Sequence, residues 1–220
     1  MEKYQIEHKP NELLIELHFL PCLDYIAGLL MFNRVRIEAN EHYQKQSYRN
    51  RCYVLTSNKI DCLTVPVQNG THKQLIRDVR IDNGQSWQDR HWRCLCAAYG
   101  KAPFFEYYAP YLEPVIRRKS AFLFDLNLEL LTICLHLVGA SVQVKLTECY
   151  QKQPDPGVID ARSRISAHLA GEGPLFYRER VYAQNFGNVF VPNLSIIDLL
   201  FCQGPSALDV LKESKIRVVS

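Results

Sequence analysis

The sequence lacks the features that identify several large classes of protein. Over 220 residues the formal net charge is only +3, and no block of lysine and arginine occurs, so we expect no nucleic-acid partner. The longest apolar stretch, residues 121–138, contains four polar side chains that are costly in a bilayer. This stretch therefore predicts a buried helix rather than a membrane span. Residues 1–16 are charged and have no apolar run before a small-residue cleavage site, so we expect no signal peptide.

Common catalytic and metal-binding motifs are also missing. There is no Gly-x-x-x-x-Gly-Lys-Ser/Thr or Gly-x-Gly-x-x-Gly sequence for phosphate binding, and no Gly-x-Ser-x-Gly turn for a serine nucleophile. The eight cysteines include no Cys-x-x-Cys pair, and the seven histidines include no His-x-x-x-His pair. The sequence therefore predicts no metal site and leaves any cofactor unknown. Unpatterned cysteines in apolar runs are typical of the reducing cytoplasm.

The periodicity that is present predicts an α/β protein. A composition of 47% hydrophobic and 22% charged residues fits a single domain over residues 1–220. A strand over 13–19, a helix over 22–31 and a strand over 34–38 form an N-terminal strand–helix–strand unit, which favours a parallel strand pair. Further strands are expected over 51–56, 61–68 and 142–146. A hairpin turn is expected to join the first two of these strands. The expected sheet is therefore mixed.

The middle of the chain is predicted to be helical, with a helical sub-lobe over about residues 86–139. Two helices are predicted, over 87–99 and 121–138. Each is preceded by a serine that can act as its N-cap and followed by a glycine that can end it. Between them, Pro110 and Pro114 predict helix breaks or new helix starts.

The last third of the chain combines a loose stretch with C-terminal helices. Residues 151–173 contain prolines, glycines and scattered charges, which predict a long surface loop, with a lid over a site as the alternative. Two helices follow, with Ser195 and Ser206 at their N-cap positions. We predict that Ser195 is a structural cap rather than a nucleophile.

The segment Glu41–Arg51 is the most informative part of the chain. Its sequence is Glu-His-Tyr-Gln-Lys-Gln-Ser-Tyr-Arg-Asn-Arg, between two apolar runs typical of strands. A simple turn is usually rich in glycine, proline and aspartate, whereas this segment supplies cations, hydrogen-bond donors and tyrosine rings. It suits an anionic or sugar-like ligand, with a solvated basic turn as the alternative.

Four residues of this segment are predicted to bind substrate. Arg49 and Arg51 suit phosphate or carboxylate, because the guanidinium fork matches planar oxyanions. Lys45 would supply a point charge, and Asn50 would bind hydroxyl groups.

Three residues are candidates for catalysis. His42 is the best candidate for a general acid or base, and Asp78 and His91 are expected to complete the site from later elements. The structural alternatives are that Asp78 pairs with an arginine and that His91 packs within a helix between Trp87 and Leu95. We expect a common cleft for at least one of Asp78 and His91 together with His42, Lys45, Asn50 and Arg51.

The chain resembles the WbqC-like protein family over about residues 17–205. The resemblance rests on the order of five segments: Glu41–Arg51, Leu63–Val67, Ile76–Asp82 with Trp87 and His91-Trp92, Ala98–Phe105, and Val191–Phe201. Because the family is named for its association with surface-polysaccharide gene clusters, the resemblance implies a role in polysaccharide biosynthesis. Many relatives begin with a Gln-Pro-x-Phe/Tyr-x-Pro-Trp type segment, whereas this chain has His18-Phe-Leu-Pro-Cys-Leu-Asp24. This departure puts in doubt whether the family's ligand specificity carries over.

These observations lead to two functional hypotheses. The first is a cytoplasmic biosynthetic enzyme that acts on an activated or anionic sugar-type substrate. Its N-terminal unit vaguely resembles nucleotidyltransferase architecture, but the His-x-Gly-His type signature of that group is missing, so this variant is an analogy from fold. The second is a non-catalytic protein that binds a glycan precursor or acts as a scaffold for an enzyme. The expected partner is a small-molecule substrate, namely a sugar, a nucleotide or an acyl donor, and the oligomeric state is left open.

Overall fold

The structure is a computed structural model that describes residues 12–166 and 173–216. In these ranges the elements are, in chain order, β1 Glu12–Glu16, α1 Leu23–Leu29, β2 Arg34–Glu38, β3 Arg51–Leu55, β4 Ile60–Thr64, α2 Trp87–Tyr99, α3 Phe105–Arg117, α4 Leu123–Val138, β5 Gln143–Leu146, β6 Val158–Asp160, α5 Ile196–Gln203 and α6 Ala207–Glu213. Single turns of 3₁₀ helix occupy Ile76–Asp78 and Gly204–Ser206. The predicted α/β class is confirmed, with a helical middle and C-terminal helices.

A four-stranded parallel sheet in the order β5-β2-β1-β6 organises the fold. The predicted parallel pairing of β1 with β2 is confirmed. Side chains alternate between the two faces of a strand, and the face that carries Leu13, Ile15, Val35 and Ile37 is buried in the core. The predicted hairpin is β3 with β4, an antiparallel pair.

The register of the sheet brings three carboxylates together at its carboxyl end. Glu16, the last residue of β1, pairs with Glu38, the last residue of β2. Asp160, the last residue of β6, pairs with Leu14, so its side chain lies on the same face. The chain adds β2 and β5 on one side of β1 and then β6 on the other. Such a change of direction opens a crevice at the carboxyl ends of the strands, where α/β proteins bind ligands.

Residues 151–173 differ from the surface loop predicted. They contain β6, which is hydrogen-bonded to the central strand β1. The prediction failed because β6 has only three residues, too few to show a periodic pattern. Residues 167–172, the remainder of the predicted loop or lid, lie outside the described part of the chain.

The helices α2, α3 and α4 fall within the expected sub-lobe, with two corrections. Pro110 and Pro114 lie inside α3 rather than breaking it. Both prolines are exposed, so the helix carbonyls that lose a backbone partner can be solvated. Helix α4 begins at Leu123 rather than after Ser120, and it ends as predicted at Gly139, whose φ is 73°. A single domain over residues 1–220 stays a prediction.

No helix within residues 12–166 and 173–216 has the length and apolar character needed to cross a membrane.

Ser195 has a structural role that differs from the predicted cap. It occupies the N-cap position of α5, but its side chain makes no capping hydrogen bond. Its buried hydroxyl instead donates to the backbone oxygen of Leu20 at 2.7 Å. Leu20 has a φ of 40°, a conformation that is costly for leucine. Ser195 therefore stabilises a strained turn directly after β1.

We predict that Ser195→Ala lowers the free energy of unfolding by roughly 1–3 kcal/mol, because the Leu20 carbonyl loses a buried donor. Ser206→Ala is the matched control, since Ser206 occupies the N-cap position of α6, is exposed and makes no capping hydrogen bond. Urea unfolding of both variants measures the difference. Equal effects of the two substitutions would contradict this role for Ser195.

Candidate functional site

A cleft of about 450 Å³ opens at the carboxyl end of the parallel sheet. It is formed by the segments that follow β2, β5 and β6. Its described lining consists of Asn40, Glu41, His42, Tyr43, Gln44, Tyr150, Lys152, Asp160, Arg162 and Ser163. Its position is the one that the strand order favours for a ligand.

Arg49 organises one side of the cleft from below. Its guanidinium donates twice to the Glu41 carboxylate, from Nε to Oε1 and from Nη2 to Oε2, both at 2.6 Å. Nη2 also donates to the Ser163 hydroxyl at 3.0 Å, and Nη1 lies 3.7 Å from Oε1 of Glu16. The Arg49 side chain is only 2% exposed. This arginine therefore joins the segment after β2 to the end of β1 and the turn after β6.

Glu16 and His18 extend this network into the core. Burial alone would raise the pKa of Glu16, but a hydrogen bond from His18, the charge of Arg49 and the backbone N–H of Ser163 lower it to about 2. Burial also lowers the pKa of His18, an effect that its 3.0 Å hydrogen bond to Glu16 only partly offsets. The lowered pKa keeps Glu16 ionised in the folded protein. His18 thus belongs to the buried support of the site.

Arg162 has the matching role on the other side of the cleft. It donates to both carboxylate oxygens of Asp160, at 2.9 and 2.7 Å. Its Nη1 donates to Glu38 at 3.0 Å and to the backbone oxygen of Gln151 at 2.8 Å. The guanidinium also lies 4.8 Å from the centroid of the Tyr150 ring, a cation–π distance. Arg162 therefore holds the loop after β5 against the ends of β2 and β6.

The cleft presents both acceptors and donors to a ligand. Burial raises the pKa of Glu41, against the lowering effect of Arg49. Burial also raises the pKa of Tyr43 to about 12, so its phenol is a neutral hydrogen-bond donor at physiological pH. His42 and Lys152 are exposed, and neither forms an ion pair within the described residues. Imidazole and ammonium groups are thus accessible beside fixed carboxylates.

Of the seven residues predicted from sequence, His42 lines the cleft. Arg49 lies beneath it, with its guanidinium engaged by protein groups. Asn50 is buried and donates to the backbone oxygen of Val65 at 2.9 Å. Lys45 is exposed in the turn, and Arg51 is half-buried at the start of β3.

Asp78 and His91 lie apart from the described cleft lining. Asp78 is exposed on the 3₁₀ turn, next to the stretch 74–76 that pairs with Glu41 and Tyr43. His91 is buried in α2, with its ring 5.1 Å from that of Trp87 and 5.9 Å from that of Phe19. Of the residues expected to converge on one cleft, His42 alone belongs to its described lining, so the expected convergence is not seen. The binding and catalytic roles of all seven residues stay predictions.

Sequence reasoning missed most of the residues that build the cleft. Glu16, Glu38 and Asp160 are each the last residue of a strand. An acidic residue at the end of a predicted strand was the sequence feature that could have indicated them. The partners of these carboxylates could not be found in this way. Arg49 and Ser163 are 33 and 147 residues from Glu16 in the sequence, yet both contact it.

Within residues 12–166 and 173–216, no three His, Cys, Asp or Glu side chains are grouped as a metal site requires.

The chain belongs to the WbqC-like protein family, whose sequence profile matches residues 17–172 and 175–210. It is also similar to the uncharacterised protein Rv1507c of Mycobacterium tuberculosis, with 28% identity over 90% of this chain and 96% of that protein. No solved structure matches the chain. The predicted family is thus confirmed.

We predict that Arg49→Met lowers the free energy of unfolding by roughly 3–5 kcal/mol, because Glu16 and Glu41 lose their shared buried cation. The matched control is Arg118→Met, since Arg118 pairs with Glu129 on the surface. That change should cost about 0–1 kcal/mol. Chemical denaturation of both variants gives the comparison, and similar losses would show that Arg49 does not organise the cleft.

We predict that stability depends on pH through His91. Burial lowers the pKa of His91 to about 4, with a smaller contribution from Arg90. Below pH 6.5 the unfolded chain gains a proton that the folded chain does not, so stability falls as the pH drops from 6.5 to 4. The loss approaches roughly 3 kcal/mol. His91→Gln should make the unfolding free energy fall less steeply over this window, while the contribution of the buried His18 remains. An unchanged pH profile would contradict the buried, neutral state of the His91 imidazole.

Proposed function

We propose that this protein is a cytoplasmic enzyme of cell-surface polysaccharide biosynthesis that acts on an activated or anionic sugar-type substrate in the cleft. The main support is the cleft itself, which lies at the carboxyl end of a parallel sheet and combines an exposed imidazole, paired carboxylates and a tyrosine ring. Family membership is consistent with this proposal. The cysteines are unpaired in the described structure, which supports a reducing compartment.

The proposed roles follow from where the side chains lie. His42 is the proposed general acid or base, because its imidazole is accessible in the cleft. Arg49 is proposed to position Glu41 and Ser163 rather than to bind substrate directly, since both of those groups already occupy its donors. Lys45 and Arg51 are proposed contacts for ligand groups that extend out of the cleft.

Of the remaining predicted residues, Asn50 has a supporting role in this proposal. Asn50 holds the turn before β3 through its hydrogen bond to Val65. Asp78 and His91 stay candidate catalytic residues without a contact to the described cleft lining. We assign no cofactor, and the proposed partner is a small molecule rather than nucleic acid.

A non-catalytic glycan-precursor-binding or scaffold protein is the second candidate. Tyr107 and Tyr111 favour it, because these neighbouring aromatic side chains of α3 are 70% and 55% exposed. Exposed aromatic residues are common in interfaces. This candidate predicts ligand binding without turnover, or no ligand binding at all.

We expect at least one ligand in a screen of nucleotide sugars, nucleoside triphosphates and acyl donors to raise the melting temperature of the protein. A ligand that binds only the folded state stabilises that state.

His42→Asn should alter turnover of the ligand that stabilises the protein most. The control is His72→Asn, at an exposed histidine outside the described cleft lining, and it should leave turnover unchanged. Arg51→Lys should weaken binding, because a bidentate fork becomes a point charge. A ligand that binds but is never turned over would favour the second candidate, and no shift across the panel would favour a scaffold.

A further inference from the structure

Ser163 is an unusual residue in the cleft and was not predicted from sequence. It lies in the turn directly after β6, and its φ of 58° places it in the left-handed region. Non-glycine residues in this region cost energy and occur often at functional sites. Its backbone N–H donates to Oε2 of Glu16 at 2.8 Å. The buried carboxylate therefore holds this strained residue in place.

The hydroxyl of Ser163 is oriented by two donors. It accepts hydrogen bonds from Nη2 of Arg49 at 3.0 Å and from Nε2 of Gln44 at 3.1 Å. A hydroxyl oxygen has two acceptor lone pairs and one hydrogen to donate. Because both lone pairs are occupied, the remaining capacity of Ser163 is as a donor. It is exposed in the cleft lining, so its partner there would be an oxygen acceptor on a ligand.

The charges beneath the cleft disfavour an anionic group at this position. Four carboxylates meet two guanidinium groups in the networks described above: Glu16, Glu38, Glu41 and Asp160 with Arg49 and Arg162. The excess of carboxylates repels a phosphate. Of these four carboxylates, Glu41 and Asp160 line the cleft and can accept hydrogen bonds from hydroxyl groups. The exposed Tyr150 offers a ring face. These properties suit an uncharged sugar ring.

A phosphate finds a better partner at the exposed Lys152. This ammonium lines the same cleft, and no ion pair neutralises it within the described residues. Ammonium groups bind phosphate as point charges. The cleft therefore has two chemically different parts, a base of oriented acceptors with the Ser163 donor and a cationic edge at Lys152.

We propose that the cleft orients an activated sugar, with the sugar ring hydrogen-bonded to Ser163 and the phosphate of the activating nucleotide at Lys152. This inference rests on the proposed function and adds the direction in which the substrate lies. Ser163 is then a specificity residue that recognises the sugar, and Lys152 binds any ligand that carries the phosphate.

Two variants and paired probes test this orientation. Ser163→Gly removes the hydroxyl and suits the left-handed backbone, where alanine would be strained. Lys152→Ala removes the cation. Titration calorimetry measures the affinity of each variant and of the wild type for UDP-glucose and UDP, GDP-mannose and GDP, and dTDP-glucose and dTDP. Thermal unfolding without ligand is the control that tests whether Ser163→Gly remains folded.

The expected pattern separates sugar from phosphate recognition. Ser163→Gly should weaken binding of the nucleotide sugar about tenfold, the value of one lost hydrogen bond, and leave binding of the matching nucleotide within about twofold. Lys152→Ala should weaken both ligands of a pair to a similar extent. If Ser163→Gly weakens both ligands equally or neither, the orientation is wrong while the proposed function stands. If the wild type binds none of the probes, both the orientation and the proposed function on a nucleotide sugar are wrong.

Discussion

The need to balance three carboxylates at the carboxyl end of one parallel sheet determines how this site is built. Glu16, Glu38 and Asp160 lie on one face of neighbouring strands because of the register of the sheet. Buried carboxylates require cations and hydrogen-bond donors. Arg49 and Arg162 supply them, and each arginine comes from a segment outside the strands. The electrostatics of the sheet therefore decide where the segment after β2 and the turn after β6 can lie, and these two segments form the cleft.

Because the arginines must balance the carboxylates, the residues that support the site differ from the residues that can contact a ligand. The guanidinium of Arg49 is held by protein carboxylates and hydroxyls, so the residue that looked most suited to an oxyanion lies beneath the cleft. The cleft lining instead contains Glu41 and Ser163, which Arg49 orients, and the exposed His42 and Lys152. A site of this kind is rigid at its base, because each oriented group has a fixed partner.

Local patterns in the sequence were sufficient to predict most elements, and long-range partners were not. The boundaries of β2 follow from alternation, and those of α2 follow from the serine before it and the glycine after it. For Ser195, the sequence predicted the N-cap position but not the hydrogen-bond partner of the hydroxyl. That partner is the backbone oxygen of Leu20, 175 residues away in the sequence. His42 was found because the segment that carries it is locally unusual. Asp160 and Ser163 were missed because their importance comes from contacts with β1 and Arg49.

The central claim is that the cleft at the carboxyl end of the parallel sheet binds an activated sugar. The most direct measurement is a crystal structure of the protein with the nucleotide sugar that stabilises it most. We expect ligand density within the cleft, beside Tyr150 and in contact with His42 and Ser163. Density only outside it, for example in the separate cavity of about 280 Å³ lined by Arg36, Lys145 and Cys149, would contradict the account.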